Sequence, residues 1–365
     1  MKTRFNSFPF APARWPFFYG WNILLWGTIG VLLSAPGQTT GVSAFTEPLL
    51  DALGISRFQL TLAYMIGTIA SSFMLTPVGK LYDRIGSRWM STASCFMLGG
   101  VLMTLSRADA LCRAASALLP PHIAAVSVMT LLFFLLRFSG QGVLTLSSRN
   151  MVMKWFDRRR GIASGFSGMV VGYGFANTPR IFHSLIEQHG WSTAWLLTAA
   201  VWMIVFVPLI WIFFRDNPED CGLIPDGKKL KKAEKPGAVI HHAFTLPEAR
   251  RTLTFWVFGL ALALQALTIT AVTFHIESIF TEAGLESTRG FAMFPTAALI
   301  GIAVSLISGW LSDHIALRWL FKFFLLTMAG SMTGFILLSE AWVPFITVCF
   351  GLTGGLFGLL MTITW

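Results

Sequence analysis

The chain is short of charge. Asp, Glu, Lys and Arg make up only 12% of its 365 residues, where a water-soluble domain carries about 25%. Soluble domains of ~150 residues each, the division that length alone suggests, would need a far larger ionisable surface. Cysteine is scarce too: Cys95, Cys112, Cys221 and Cys349 form no C-x-x-C and have no His at ligand spacing, so neither a disulfide framework nor a metal site is expected. No G-x-x-x-x-G-K-[ST] occurs, which disfavours pumping by ATP, and no G-x-S-x-G or H-E-x-x-H occurs, which disfavours a membrane hydrolase. The expectation is a protein that is not an enzyme and has no cofactor.

Apolar residues are what the chain has in quantity. They make up 55% of it, with 33 Phe and 14 Trp, and the mean hydropathy is +0.67. Disorder and collagen are excluded, and a polytopic membrane protein remains. Ten apolar runs are long enough to cross ~30 Å of hydrocarbon. The first five lie near 19–42, 58–79, 89–106, 122–148 and 161–185, the others near 192–214, 253–278, 290–310, 318–338 and 342–364. With no water in the bilayer core each must satisfy its own backbone, so an all-α integral membrane fold is predicted. The runs do not alternate as barrel strands would.

A net charge of +10 would suggest nucleic acid in a soluble protein; here it marks one side of a membrane. The amino terminus and the links 80–88, 149–160, 215–251 and 311–322 hold 21 of the 27 Lys and Arg residues. The opposite links hold Arg57, Arg107, Arg113 and Arg289, while Arg137 and Arg180 fall inside apolar runs. Residues 1–18 are therefore expected in the cytoplasm, in a multi-pass protein of the cell membrane (the inner membrane if bacterial). They lack the apolar stretch and small-residue site of a cleavable signal. The long polar segment 215–251 contains Pro218, Pro225, Pro236 and Pro247, which disfavour a continuous helix. It is read as a solvated cytoplasmic linker, His241 and His242 included, between a six-helix bundle at 19–214 and a partial bundle at 252–365. Its Lys run could also touch anionic lipid.

The two halves share a motif. Gly79-Lys-Leu81-Tyr-Asp83-Arg84-Ile-Gly86-Ser-Arg88 and Gly309-Trp-Leu311-Ser-Asp313-His314 both read G-x-L-x-D-basic, on the same face at matching places. At these residues the chain resembles the major facilitator superfamily, whose signature in this loop is G-x-L-x-D-R-x-G-R-R; Ser87 replaces a basic residue. Arg137-Phe-Ser-Gly140 resembles its R-x-x-x-G motif. Phe156-Asp-Arg158-Arg159-Arg160-Gly161, with Phe18-Tyr19-Gly20-Trp21 and Arg215-Asp-Asn-Pro-Glu219, resembles monocarboxylate porters and oxalate:formate antiporters. The resemblance implies twelve helices as six plus six. Four of the second six occur before Trp365, so a truncated product is expected, with a natural ten-helix variant as the alternative.

The resemblance also implies alternating access around a midplane cavity lined by helices one, four, five and seven. Gly79, Asp83, Arg84, Gly86, Arg88 and Asp313 would then form a conformational gate, its Asp engaging the start of helix eleven. Charge inside a membrane is costly and marks function. No carboxylate shares the hydrocarbon with Arg137 or Arg180, and a guanidinium fork suits a carboxylate ligand; bonding to backbone carbonyls or snorkelling is the plainer account. Gln38, Asn177 and Gln265 are polar companions in the implied cavity. His275 and Glu277, near the outer end of helix seven, could couple protons. Gly161, Gly165, Gly168, Gly172 and Gly174 give helix five a small-residue face for rocking or for static packing. The expectation is a secondary transporter of a small organic anion such as a monocarboxylate, by symport or antiport. A transporter-derived sensor and a facilitator for a neutral solute are the alternatives. The expected partners are that solute, protons and the bilayer, with no nucleic acid.

Overall fold

The computed structural model describes residues 9–157, 159–227, 248, 250–311 and 315–363. Among them there is no strand, and ten helical stretches correspond to the ten apolar runs. They are α1 (Gly20–Leu32), α2 (Arg57–Ile85), α3 (Ser87–Leu105), α4 (Pro121–Trp155), α5 (Arg160–His189), α6 (Trp191–Phe213), α7 (Leu253–Glu282), α8 (Ser287–Leu311), α9 (Leu317–Ile336) and α10 (Val343–Ile363). Seven helices among the described residues are long and apolar enough to cross a membrane; α3 with the short helix Ala108–Ala115, bent by 68° from it, makes an eighth. The two that fall short are α1 and α5. The first is only 13 residues long, and the second carries Asn177, Arg180, His183 and Glu187 in its C-terminal half.

Three helix edges differ from the sequence reading, each for a local reason. The run 19–42 is not one helix: after Leu32 come a tight turn at Ala35–Gly37 and a short helix Thr39–Ser43, because Pro36 has no N–H to continue the ladder. α2 runs on to Ile85, so Gly79, Asp83 and Arg84 ride on its last two turns rather than in a loop. A glycine in the left-handed region, Gly86 at φ +87°, ends it. α4 extends to Trp155, which makes Arg149 and Lys154 helical.

The chain divides into two compact units, residues 1–228 and 229–365. In the first, small residues let helices approach to backbone contact. A Cβ on Gly67 of α2 would lie 2.7 Å from the Phe134 backbone nitrogen in α4, and one on Gly37 would lie 2.8 Å from Gly140 Cα. In the second unit Gly351 and Gly355 of α10 abut the Ala297 and Gly301 carbonyls of α8. Ala261, Leu320, Phe321, Phe324 and Leu356 form its buried core. Large apolar side chains such as Phe73, Ile204 and Leu326 stand exposed, the pattern of a surface covered by lipid. Of the four arginines on the links opposite the basic face, three meet carboxylates: Arg57–Glu47 at 2.5 Å, Arg113–Asp109 at 2.8 Å, and Arg289–Glu340.

The segment read as a solvated linker is partly structure. Residues 215–227 fold onto the first unit, with Arg215 fully buried. Lys228–Pro247, including the Lys run and His241-His242, lies outside the described residues.

Candidate functional site

The break in α1 sets the site. Ending a helix in the middle of a bundle leaves carbonyls without partners, and in hydrocarbon these must be met by side chains. Trp202 Nε1 of α6 donates to Leu33 O at 2.8 Å, and Arg137 Nη1 of α4 donates to Gly37 O at 3.2 Å. Opposite the break, α4 widens into a π-helical stretch at Phe138–Leu144. Such bulges are frequent at functional sites. One carbonyl there, Ser139 O, is taken by the Ser94 hydroxyl of α3 at 2.6 Å. The two irregular stretches meet at Gly37 and Gly140.

Around this crossing runs a polar seam. Arg137 is buried; its Nη1 also lies 3.4 Å from Thr39 Oγ1, and its guanidinium sits 5.2 Å from the Tyr64 ring centre. Thr39 Oγ1 and Tyr64 Oη are 2.9 Å apart. Arg137 Nε is enclosed with no hydrogen-bond partner among the described residues. Gln38 Nε2 donates to Ser34 Oγ at 2.9 Å and to Thr145 Oγ1 at 3.4 Å, and Thr145 Oγ1 donates to Ser34 Oγ at 3.0 Å. The structure thus brings Arg137 and Gln38 of the sequence-derived set to one crossing. One bond from Arg137 goes to backbone, at Gly37 O, and one contact goes to the Thr39 side chain.

Asn177 and Arg180 lie further along α5. Asn177 Nδ2 bonds its own helix at Tyr173 O, 2.9 Å away. Arg180 is exposed and forms no ion pair among the described residues. On the same helix nothing lies within 4 Å of a Cβ built on Gly165, Gly168 or Gly172, whereas one on Gly174 would meet Leu32. In the second unit Gln265 of α7 is 1% exposed, and its Oε1 has no hydrogen-bond partner among the described residues. His275 and Glu277 are both part-buried on the C-terminal half of α7.

The expected gate residues separate into two groups. Asp83 and Arg84 are exposed, and the space beside Gly79 is open. Gly86 and Arg88 are instead engaged with the end of α6. The Arg88 backbone N–H donates to Asp216 Oδ1 at 3.1 Å, Arg88 Nε donates to Trp211 O at 2.6 Å, and its guanidinium lies 4.5 Å from the Trp211 ring centre. A Cβ on Gly86 would overlap the Asp216 carboxylate. Burial pushes the Asp216 carboxyl above the ordinary carboxylate range, opposed by the N–H groups of Arg88 and Ser87. Asp313 lies outside the described residues.

Sequence reasoning missed Ser34, Thr39, Tyr64, Thr145 and Asp216. For Asp216 a signal existed: α3 opens on Gly86-Ser87 with no capping side chain of its own, so its first N–H groups must be met from elsewhere. For the others the signal was Pro36 inside an apolar run, which forces polar groups to gather round the broken backbone.

Broken helices, a π-widened partner and an internal polar seam mark a polytopic membrane protein whose irregular backbone is enclosed by its own helices. The chain belongs to the Major Facilitator Superfamily, whose family model matches residues 26–365. No curated protein matches it in sequence. Among solved structures it is similar in fold to a bacterial homologue of the human lysosomal transporter Spinster, in an inward-facing and occupied conformation. That match has a TM-score of 0.63 at 13% identity and covers 93% of this chain and 73% of that one. It is also similar to a D-xylose-proton symporter (TM-score 0.55, 14% identity, 94% and 80% covered). A bacterial metal transporter gives a TM-score of 0.55 at 16% identity, with 92% and 79% covered. The sequence reading of an all-α membrane protein of this superfamily holds.

Proposed function

We propose that the chain is a secondary transporter that carries a small organic anion by alternating access, with its amino terminus and the polar segment after α6 in the cytoplasm. The observation that carries the anion reading is Arg180. It is an exposed guanidinium on the outer half of a helix too polar to face lipid throughout, without an ion-pair partner among the described residues. A cation so placed attracts an anionic ligand, and the planar fork favours a carboxylate. Arg137 then acts chiefly on α1, fixing the crossing that Gln38 borders, and Asn177 is a polar neighbour of Arg180 along α5; in the second unit Gln265 is the polar residue proposed for a ligand. Asp83, Arg84 and Asp313 serve the inner gate. The monocarboxylate and oxalate:formate resemblance supports a carboxylate cargo. The D-xylose-proton symporter, a fold relative only, makes protons a natural coupling ion, with His275 and Glu277 as the groups to titrate.

The test is uptake into proteoliposomes of labelled small carboxylates beside a labelled neutral polyol. Arg180→Ala should abolish carboxylate uptake while Arg180→Lys retains part of it. Full carboxylate uptake by Arg180→Ala would remove Arg180 from the site. A second reading, a neutral cargo, is favoured by one observation: Arg137 is already committed to Gly37 and Thr39. Under that reading the polyol enters and the carboxylates do not.

A further inference from the structure

The segment Arg215–Gly227 leaves α6 and lies against the inner ends of the first unit, where a plain linker would be expected. Its first residue is its anchor. Arg215 is fully buried, donates from Nη1 to the Ile212 and Phe214 carbonyls that end α6, and reaches Phe10 O from Nη2 at 3.4 Å. Its guanidinium lies 5.0 Å from the Phe10 ring centre. Between anchor and exit the chain turns at Glu219–Cys221, tied by Asn217 Nδ2 to Asp220 Oδ2 at 2.9 Å, and it ends with Gly227 against the Phe18 ring.

Two carboxylates ten residues apart point from this segment at two different corners. Asp216 meets the first N–H groups of α3 at the α2–α3 corner, in a recess that only a glycine at position 86 leaves open, and the Trp155 indole at the end of α4 donates to its backbone carbonyl at 3.2 Å. Asp226 is the one non-glycine among the described residues with positive φ, at 61°, and is buried. Its Oδ2 accepts the Asp157 N–H at 3.1 Å, in the corner that leads into α5. A buried acceptor at each corner is needed because an unmet N–H there costs more than the bond gains. The left-handed backbone at Asp226 is tolerated by Asp, Asn and Gly and strained for other residues.

We propose that Arg215–Gly227 is a buckle in which Asp216 and Asp226 are positioning residues, one setting the α2–α3 corner and the other the α4–α5 corner against the ends of α1 and α6. The inference concerns how the first unit is held together and stands whether or not the cargo is an anion.

Cys221 sits inside the buckle as a ready reporter. It is buried, and burial pushes its thiol up to about 12, with Arg215 pulling the other way, so it reacts slowly while the segment is seated. In a full-length chain with Cys95, Cys112 and Cys349 replaced by Ala, labelling of Cys221 by N-ethylmaleimide in detergent reads opening directly. Asp216→Ala and Asp226→Gly, the latter keeping the backbone and deleting only the acceptor, should each speed labelling by about tenfold or more. Asp216→Asn and Asp226→Asn keep an acceptor oxygen and should label near the parent rate. Labelling no faster in monodisperse Ala and Gly variants, or equally fast in the Asn variants, overturns the proposal. Should the Ala and Gly variants not fold, hydrogen exchange on the unsubstituted chain decides: slow exchange of the Arg88 and Asp157 amides is expected, and fast exchange at both overturns it.

Discussion

Arg137 illustrates how a single residue type carries two meanings. An arginine in an apolar run announces function, yet Gly37 O lies 3.2 Å from its Nη1 because α1 is broken there. The sequence shows both Arg137 and Pro36 but not that they meet, since that requires the crossing of two helices. Gln38 was legible as a polar residue at depth, whereas its partners Ser34 and Thr145 are too common in membrane helices to stand out. Arg137→Ala should lower stability by about 1–3 kcal/mol, and Lys should not rescue it. The ammonium can meet Gly37 O but not also lie flat on Tyr64. Thermal unfolding in detergent measures this. A melting temperature equal to the parent's in both variants would show that the α1 break does not depend on the guanidinium.

At the scale of elements, apolar runs gave the existence of all ten helices, and local irregularity set what each does. Pro36 breaks α1, and seven π-helical residues widen α4 beside it; the second feature has no signature in hydropathy. The edges of α2 and α4 were hidden for a different reason. Both helices continue beyond their apolar runs into polar residues, so composition changes before the helix ends. The crossing itself gives a prediction. A Cβ on Gly140 would lie 2.8 Å from Gly37 Cα and 3.2 Å from Ser34 O, backbone that cannot step aside. Gly140→Ala should therefore cost about 1–3 kcal/mol by overpacking and reduce uptake. Gly165→Ala, where nothing lies within 4 Å, should leave the melting temperature unchanged. Equal behaviour of the two would mean that the Gly37–Gly140 approach is not a tight contact in the working protein.

On the scale of the whole molecule, shortage of charge and the one-sided spread of Lys and Arg were enough to read a membrane fold. The G-x-L-x-D repeat was enough to read its superfamily. The polar segment after α6 was less legible, because proline and charge signal a loop whether it is solvated or packed; the burial of Arg215, Cys221 and Asp226 reveals that its first part is structure. The cargo is the least legible property of all, since it depends on a few side chains among many that serve helix packing.

A carrier, unlike a sensor or a channel, must return its site across the membrane in each cycle, and this is the claim most open to test. Proteoliposomes holding the full chain would be preloaded with an unlabelled small carboxylate and offered the labelled form outside. Internal carboxylate should accelerate entry of the label above the rate in empty vesicles. Entry at one rate whatever the vesicles contain, or no entry of any carboxylate by a folded, inserted chain, would contradict it.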